Sequence, residues 1–99
     1  MKMGNKKIIY KTDDSRTWLE DEEGEEVAVL EHPEIRRGVV NIRYIYVDTS
    51  LTGQDISGKM MKLLAERLKK KKKVAELSCS YAIRWFAEHP EYDDIVITH

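Results

Sequence analysis

Val39-Val40-Asn41-Ile42-Arg43-Tyr44-Ile45-Tyr46-Val47-Asp48-Thr49-Ser50-Leu51-Thr52-Gly53-Gln54-Asp55-Ile56-Ser57-Gly58-Lys59 is the stretch on which the reading of this chain turns. Its first nine residues read as a strand. Val40, Ile42, Tyr44 and Tyr46 fall on one face; Val39, Asn41, Arg43, Ile45 and Val47 fall on the other. Apolar side chains on both faces predict a central strand rather than an edge. A short loop follows, and then an amphipathic helix from about Asp55 to Lys70, with Ile56, Met60, Leu63, Leu64 and Leu68 on its apolar face. A strand–loop–helix turn of this kind converges backbone N–H groups and a helix N-terminus on one point, as small α/β domains do to hold a phosphate. Asp55 puts a carboxylate at that point. Thr52 and Asp55 also fit the Thr-x-x-acid form of a capping box. The loop therefore reads in two ways, as a phosphate cradle from Gly53 to Gly58 or as a helix cap.

Outward from this segment, Lys69 to Lys73 close the helix, and residues 74–78 form a short strand. Strand, helix and strand make a βαβ unit, so 39–47 and 74–78 are expected to run parallel, joined by a right-handed crossover. Ser80 to Glu88 predicts a second helix, with Ser78 or Ser80 as N-cap and Ile83, Phe86 and Ala87 facing the core. Pro90 ends it, and Ile95-Val96-Ile97 suggests a short terminal strand. Upstream, residues 7–11, 16–20 and 25–31 read as strands, with a turn at Asp21-Glu22-Glu23-Gly24 whose glycine takes the positive φ of a tight hairpin. His32-Pro33-Glu34 reads as a break and Arg36-Arg37-Gly38 as a turn. The order β-β-β-β-α-β-α gives a mixed α/β (α+β) fold, an antiparallel meander joined to one βαβ unit, expected as a single domain over residues 1–99.

Composition narrows the function. A net charge of −1 argues against a general nucleic-acid binder. No apolar run approaches the ~20 residues that span a bilayer. The apolar residues after the basic N-terminus, Ile8, Ile9 and Tyr10, are too few for a signal peptide. A cytoplasmic protein with no membrane partner is expected. The single Cys79 allows no internal disulfide and suits a reducing compartment. A core this small leaves a monomer or a weak homodimer as the expected state. Charge is unevenly placed. Six of the seven residues from Glu20 to Glu26 are acidic, whereas Lys59 to Lys73 holds eight Lys or Arg against one Glu. The Lys69–Lys73 run carries no interleaved aromatic residue, which weighs against single-stranded nucleic acid, and no metal-ligand cluster is visible.

The order of elements, with its loop after the fourth strand, resembles the GNAT superfamily of N-acetyltransferases. The likeness is to the minimal single-domain branch and covers about residues 8 to 96. It rests on Val47, on Gly53-Gln54-Asp55-Ile56, on Cys79-Ser80-Tyr81 and on His89-Pro90-Glu91-Tyr92. The loop departs from the superfamily pattern at Asp55, where a second glycine is usual, and at Thr52, where Gln or Arg is usual. Tyr44 stands where the branch commonly has a histidine. The resemblance implies a GNAT-like acyl-CoA N-acyltransferase fold and transfer of an acetyl group from acetyl-CoA to a small-molecule or protein amine. Strands 39–47 and 74–78 would splay apart into a cleft. Tyr46, Val47, Thr52, Gly53, Gln54, Asp55, Ile56, Ser57, Gly58 and Lys59 would hold the cofactor. Cys79 would accept the acetyl group or line the pocket, and Tyr81 would act as general acid to the leaving thiolate.

Each of these residues also has a structural reading. Cys79 reads as a small buried thiol at a strand end, and Tyr81, Tyr44 and Tyr46 as core tyrosines. His32 and His89 precede prolines in apparent loops and are expected to be exposed; His99 is terminal. The lysine run reads as a solvated helix end, and the acidic hairpin as a solubilising turn or a field attracting a cationic amine. The alternative to catalysis is a degenerate GNAT-like domain that serves as a binding or assembly module, with Asp55 as the discriminating residue.

Overall fold

In the computed structural model, residues 8–51 and 55–97 are described. Three strands, β1 (Ile9–Thr12), β2 (Arg16–Glu20) and β3 (Glu26–Glu31), form an antiparallel meander. The tight turn between β2 and β3 is organised by Asp21, whose Oδ1 accepts the N–H groups of Glu23 and Glu25, and by Gly24 at φ +83°. Period-two alternation sends Thr17, Leu19, Ala28 and Leu30 to a buried inner face.

β3 continues through His32 and Pro33 into β4 (Glu34–Arg36), and β5 (Val39–Ile42) continues through Arg43 into β6 (Tyr44–Val47). The Asn41 N–H donates to the Pro33 carbonyl (2.8 Å) and the Arg43 N–H to the Glu31 carbonyl (3.1 Å). Residues 26–36 and 39–47 are thus one long hairpin with a crease in its middle. On one side of the crease the sheet order is β1-β2-β3-β6, and on the other β4-β5-β7, where β7 is Val74–Leu77 and lies parallel to β5. The crease has a local cause. Pro33 has no N–H to give, and Arg43 and Tyr44 both stand opposite Glu31, which is a β-bulge.

The bulge shifts the side-chain phase by one. Val40 and Ile42 are buried, but beyond Arg43 it is Ile45 and Val47 that turn inward. Tyr44 and Tyr46 are 47% and 48% exposed on the outer face, so the expected shared face of Val40, Ile42, Tyr44 and Tyr46, and with it a core role for the tyrosines, is corrected. The segment 34–36, read as break and turn, pairs as a strand with β5.

α1 (Ile56–Lys71) covers the inner face with Ile56, Met60, Met61, Leu64, Ala65 and Leu68. Met61 and Ala65 widen the stripe on one side, and Leu63, expected in the core, is left 49% exposed on the opposite border. α2 (Ser80–Ala87) buries Ala82, Trp85 and Phe86. Ile83, expected inside, is 52% exposed, and Ala87 also faces solvent. A 3-10 helix from Pro90 to Ile95 packs its Tyr92 beneath the Trp85 and Phe86 rings. In place of a terminal strand, Val96 makes a single parallel bridge to Ala75. Among the described residues no helix is long and apolar enough to cross a membrane.

Candidate functional site

β5 and β7 pair from Val39↔Val74 to Ile42↔Leu77, and the last rung is the Ser78 N–H to the Ile42 carbonyl (2.9 Å). There the two strands part. β6 leaves along β3, while the chain after Ser78 turns into α2. Asn41 Nδ2 donates to Ser78 Oγ (2.8 Å) and to the Glu76 carbonyl (3.3 Å), clamping the vertex of the fork. The Asp48 N–H donates to the Val27 carbonyl (2.8 Å), so Asp48 and, two residues back, Tyr46 direct their backbone groups at β3. The alternation of an antiparallel ladder then turns the N–H and C=O groups of Ile45 and Val47 into the fork. The expected splaying of 39–47 from 74–78 is present, and its vertex lies at Ile42 and Ser78.

The family sequence model described as GCN5-related N-acetyl-transferase matches residues 16–95, which run from β2 past the fork to the end of the 3-10 helix. The chain belongs to that family. In three dimensions it is similar to the solution NMR structure of a GCN5-like protein from Staphylococcus aureus, with a TM-score of 0.74 over 98% of this chain and 93% of that one. At 23% identity that likeness speaks for the fold alone. No curated protein matches the chain. The GNAT-like fold expected from the sequence is thereby established, and with it an N-acetyltransferase-like character at the level of the family, whose members generally use acetyl-CoA.

Within this GCN5-related fold, α1 opens at the fork. Its N-cap is Asp55, at φ +51° and ψ +40°, with no side-chain cap bond. The cap position is Asp55 itself; the Thr52 half of the capping-box reading falls outside the described residues, as do Gly53 and Gln54. Asp55 stands where the superfamily loop carries its second glycine, and it keeps the left-handed backbone that glycine adopts without cost and aspartate tolerates better than most residues. Its carboxylate lies over Gly58. A Cβ at Gly58 would come within 2.7 Å of Oδ1 and 2.9 Å of Oδ2. Ser57 is half-buried, Lys59 is exposed, and Ile56 sends its side chain into the core.

Cys79, half-buried, is the N-cap of α2, displacing both serines expected there; its thiol makes no cap bond. Tyr81 lies in the first turn of the same helix and is half-buried. Its hydroxyl is held above the ordinary tyrosine range, first by burial and then by the Asp55 carboxylate, with Glu88 and Cys79 adding to the effect and Arg84 opposing it. Asp55, distant in the chain, is thus close enough to the Cys79–Tyr81 segment at the mouth of the fork for its charge to act on Tyr81. Tyr46 is different. Its ring stands on the outer face of the sheet, level with Val29 and, one strand further, Trp18. The Arg16 guanidinium lies over that Trp18 ring at 4.2 Å and forks onto Glu26 (2.9 and 2.7 Å).

The histidines do not join the site. His32, expected exposed, is 2% exposed and holds Thr17 Oγ1 through Nε2 (2.9 Å). His89 is half-buried, stacked on Trp85 at 3.8 Å, with Nδ1 2.7 Å from the Trp85 carbonyl. His99 lies outside the described residues. The sequence reading missed Asn41 and Ser78; a lone amide inside an otherwise apolar strand was the available signal.

Proposed function

We propose that this chain transfers an acetyl group from acetyl-CoA to a small-molecule or protein amine at the fork between β6 and β7. The reading is carried by one convergence: a strand edge, the N-terminus of a sixteen-residue helix, a thiol and a high-pKa tyrosine meet at one opening. Ile45 and Val47 would hold the pantetheine arm as an added strand. The N–H groups of Ile56, Ser57 and Gly58, which precede the first intrahelical bond from Lys59 N–H to the Asp55 carbonyl, and the Lys59 ammonium would face the phosphates. Bound acetyl-CoA would supply an activated thioester.

The chain's own groups suit the rest of the chemistry. Attack by the amine nitrogen on the carbonyl carbon forms the C–N bond and breaks the C–S bond, and the departing sulfur needs a proton. Tyr81 keeps its hydroxyl proton well above neutral pH and would deliver it, the amine's own proton leaving to solvent. Cys79 would line the acetyl end. At the phosphate end the fit requires the Asp55 carboxylate to swing off Gly58, because an anion there opposes another anion.

That carboxylate is the observation favouring the second reading, a domain without catalysis that works as a binding or assembly module. Titration with acetyl-CoA, followed by amide shifts and calorimetry, separates the two. We expect shifts centred on residues 45–48 and 55–59, and tighter binding in Asp55→Gly. Tyr81→Phe is expected to leave binding intact and lower turnover by about 10²-fold or more. Absence of binding at millimolar acetyl-CoA in both wild type and Asp55→Gly would leave the binding module as the standing reading.

A further inference from the structure

β1 is the outermost strand of its sheet, and no described residue pairs with its outer edge. Beneath that edge a hollow of about 270 Å³ runs between β1 and α1, walled by Tyr10, Lys11, Thr12, Leu63, Leu64 and, at one end, Arg67. It adjoins a second hollow of about 510 Å³ bounded by Tyr10, Leu63, Lys59, Lys62 and Glu66. Ile9, Tyr10 and Leu63 are 48%, 39% and 49% exposed. Natural sheets usually guard such an edge with a charge. Here the candidate guard, Lys11, turns to the opposite face and pairs with Glu20 at 3.0 Å.

The hydrogen-bond phase of the edge is fixed by the Asp13 N–H, which donates to the Arg16 carbonyl (2.9 Å). The bonded pairs of the ladder are then Asp13↔Arg16, Lys11↔Trp18 and Ile9↔Glu20, so Tyr10 and Thr12 direct their N–H and C=O groups outward. Tyr10 and Thr12 also share the inner, helix-side face. These two facts together restrict what can be added to the edge.

We infer that this edge is a self-association surface whose occupant is a second copy of the same chain, related by a two-fold axis through Tyr10. Antiparallel addition about such an axis keeps inner faces together and sets Tyr10 opposite Tyr10 of the second copy. Thr12 then stands opposite Ile8. This register joins the outward backbone groups and fills each hollow with the other copy's Tyr10 and Leu63. The charges agree with it. Along α1, Lys59 and Lys62 lie on one side of Leu63, and Glu66 and Arg67 on the other. Arg67 is held within its own copy by Thr12 Oγ1 (3.3 Å) and Asp14 (3.9 Å), which leaves Glu66 as the charge that the two-fold axis, by reversing the helix, brings toward the lysine side of the other copy. Lys59 and Lys62 make no ion pair among the described residues. An isologous contact needs this self-complementarity.

Light scattering or sedimentation across about 10 µM to 1 mM protein tests the inference. The mass should rise from 11.6 kDa toward twice that value. Tyr10→Pro removes an N–H that no described residue of the monomer accepts, and Leu63→Glu places an anion in the hollow; each is expected to weaken association at least about tenfold while the far-UV spectrum stays folded. A constant monomer mass at the highest concentration overturns the proposal, and so does association that neither variant weakens. Doubling seen only after removal of residues 1–6 would assign the groove to the chain's own N-terminus and overturn it equally.

Discussion

Asp55 and Gly58 act as a pair. The three nearest neighbours of a Cβ at position 58 would all be atoms of the Asp55 side chain, so the carboxylate rests where a methyl would go. Replacing a helical glycine by alanine ordinarily stabilises by about 0.5–1 kcal/mol. Gly58→Ala should deliver that gain in an Asp55→Gly background and less of it in the wild type. A double-mutant cycle by urea denaturation reads the difference, and additive effects would show that the carboxylate moves away at no cost. His32 yields a pH prediction. Burial, aided by the nearby Arg67 charge, lowers its pKa below the ordinary histidine value. In the unfolded chain the imidazole takes a proton near pH 6.5 while the folded protein refuses it. Unfolding free energy should therefore be level above that value and decline as pH falls through about 6.5, a decline lost in His32→Leu. Tyr92 works at the other end of the scale. Its hydroxyl donates to Glu66 Oε2 at 2.5 Å, and that bond, together with burial, pushes its pKa up to about 12. Unfolded tyrosine ionises near pH 10. Stability should be level below about pH 10 and decline as pH rises from there toward 12; Tyr92→Phe should flatten this decline.

At the scale of elements, α1 ends in a Schellman turn made without glycine. The Lys73 N–H reaches the Leu68 carbonyl (2.9 Å), the Lys72 N–H reaches the Lys69 carbonyl (3.2 Å), and Lys72 sits at φ +59°. Lys72→Gly should raise stability by up to about 1 kcal/mol, measured by thermal or urea denaturation. The elements were largely legible in the sequence. Residues 16–20 are the expected strand, α1 departs from its expected bounds by one residue at each end, and the βαβ unit runs parallel as predicted. What escaped was phase. A period-two reading of 39–47 assumes an unbroken ladder, and the bulge at Arg43 is a pairing event that one strand's sequence does not carry. The same limit hid His32. It precedes a proline and looks like loop, yet the long hairpin passes through it, and its partner Thr17 comes from another strand. Leu63 and Ile83 were misplaced because each lies at the border of an apolar stripe, where the packing neighbour decides. At the site, the family resemblance singled out Cys79, Tyr81 and the residues at the start of α1 as candidates. The position of the Asp55 carboxylate over Gly58 was not legible, because it depends on a left-handed backbone angle.

Across the whole molecule the charge is polar. The acidic turn at 21–25 lies at the end where β6 finishes, since Asp48 is bonded to Val27. The lysines that close α1 lie at the opposite end, where Lys73 pairs with Glu34 at 2.7 Å. The antiparallel contacts of the sheet join neighbours in the chain, by the turns at 13–15 and 21–25 and by the long hairpin. The contact between β5 and β7 is of another kind, because it ties Val39 to Val74 across an intervening helix. Closing so long a loop costs entropy that the hairpins do not face. Assembly should therefore finish at that seam, and partial opening should begin there. In native-state hydrogen exchange, the amides of Val74 and Ser78, which bridge to Gly38 and Ile42, should lose protection at a lower free energy than the amides linking β2 to β3. The fork proposed to gather the chemistry is then also the last part of the chain to become a structure, and the first to cease being one.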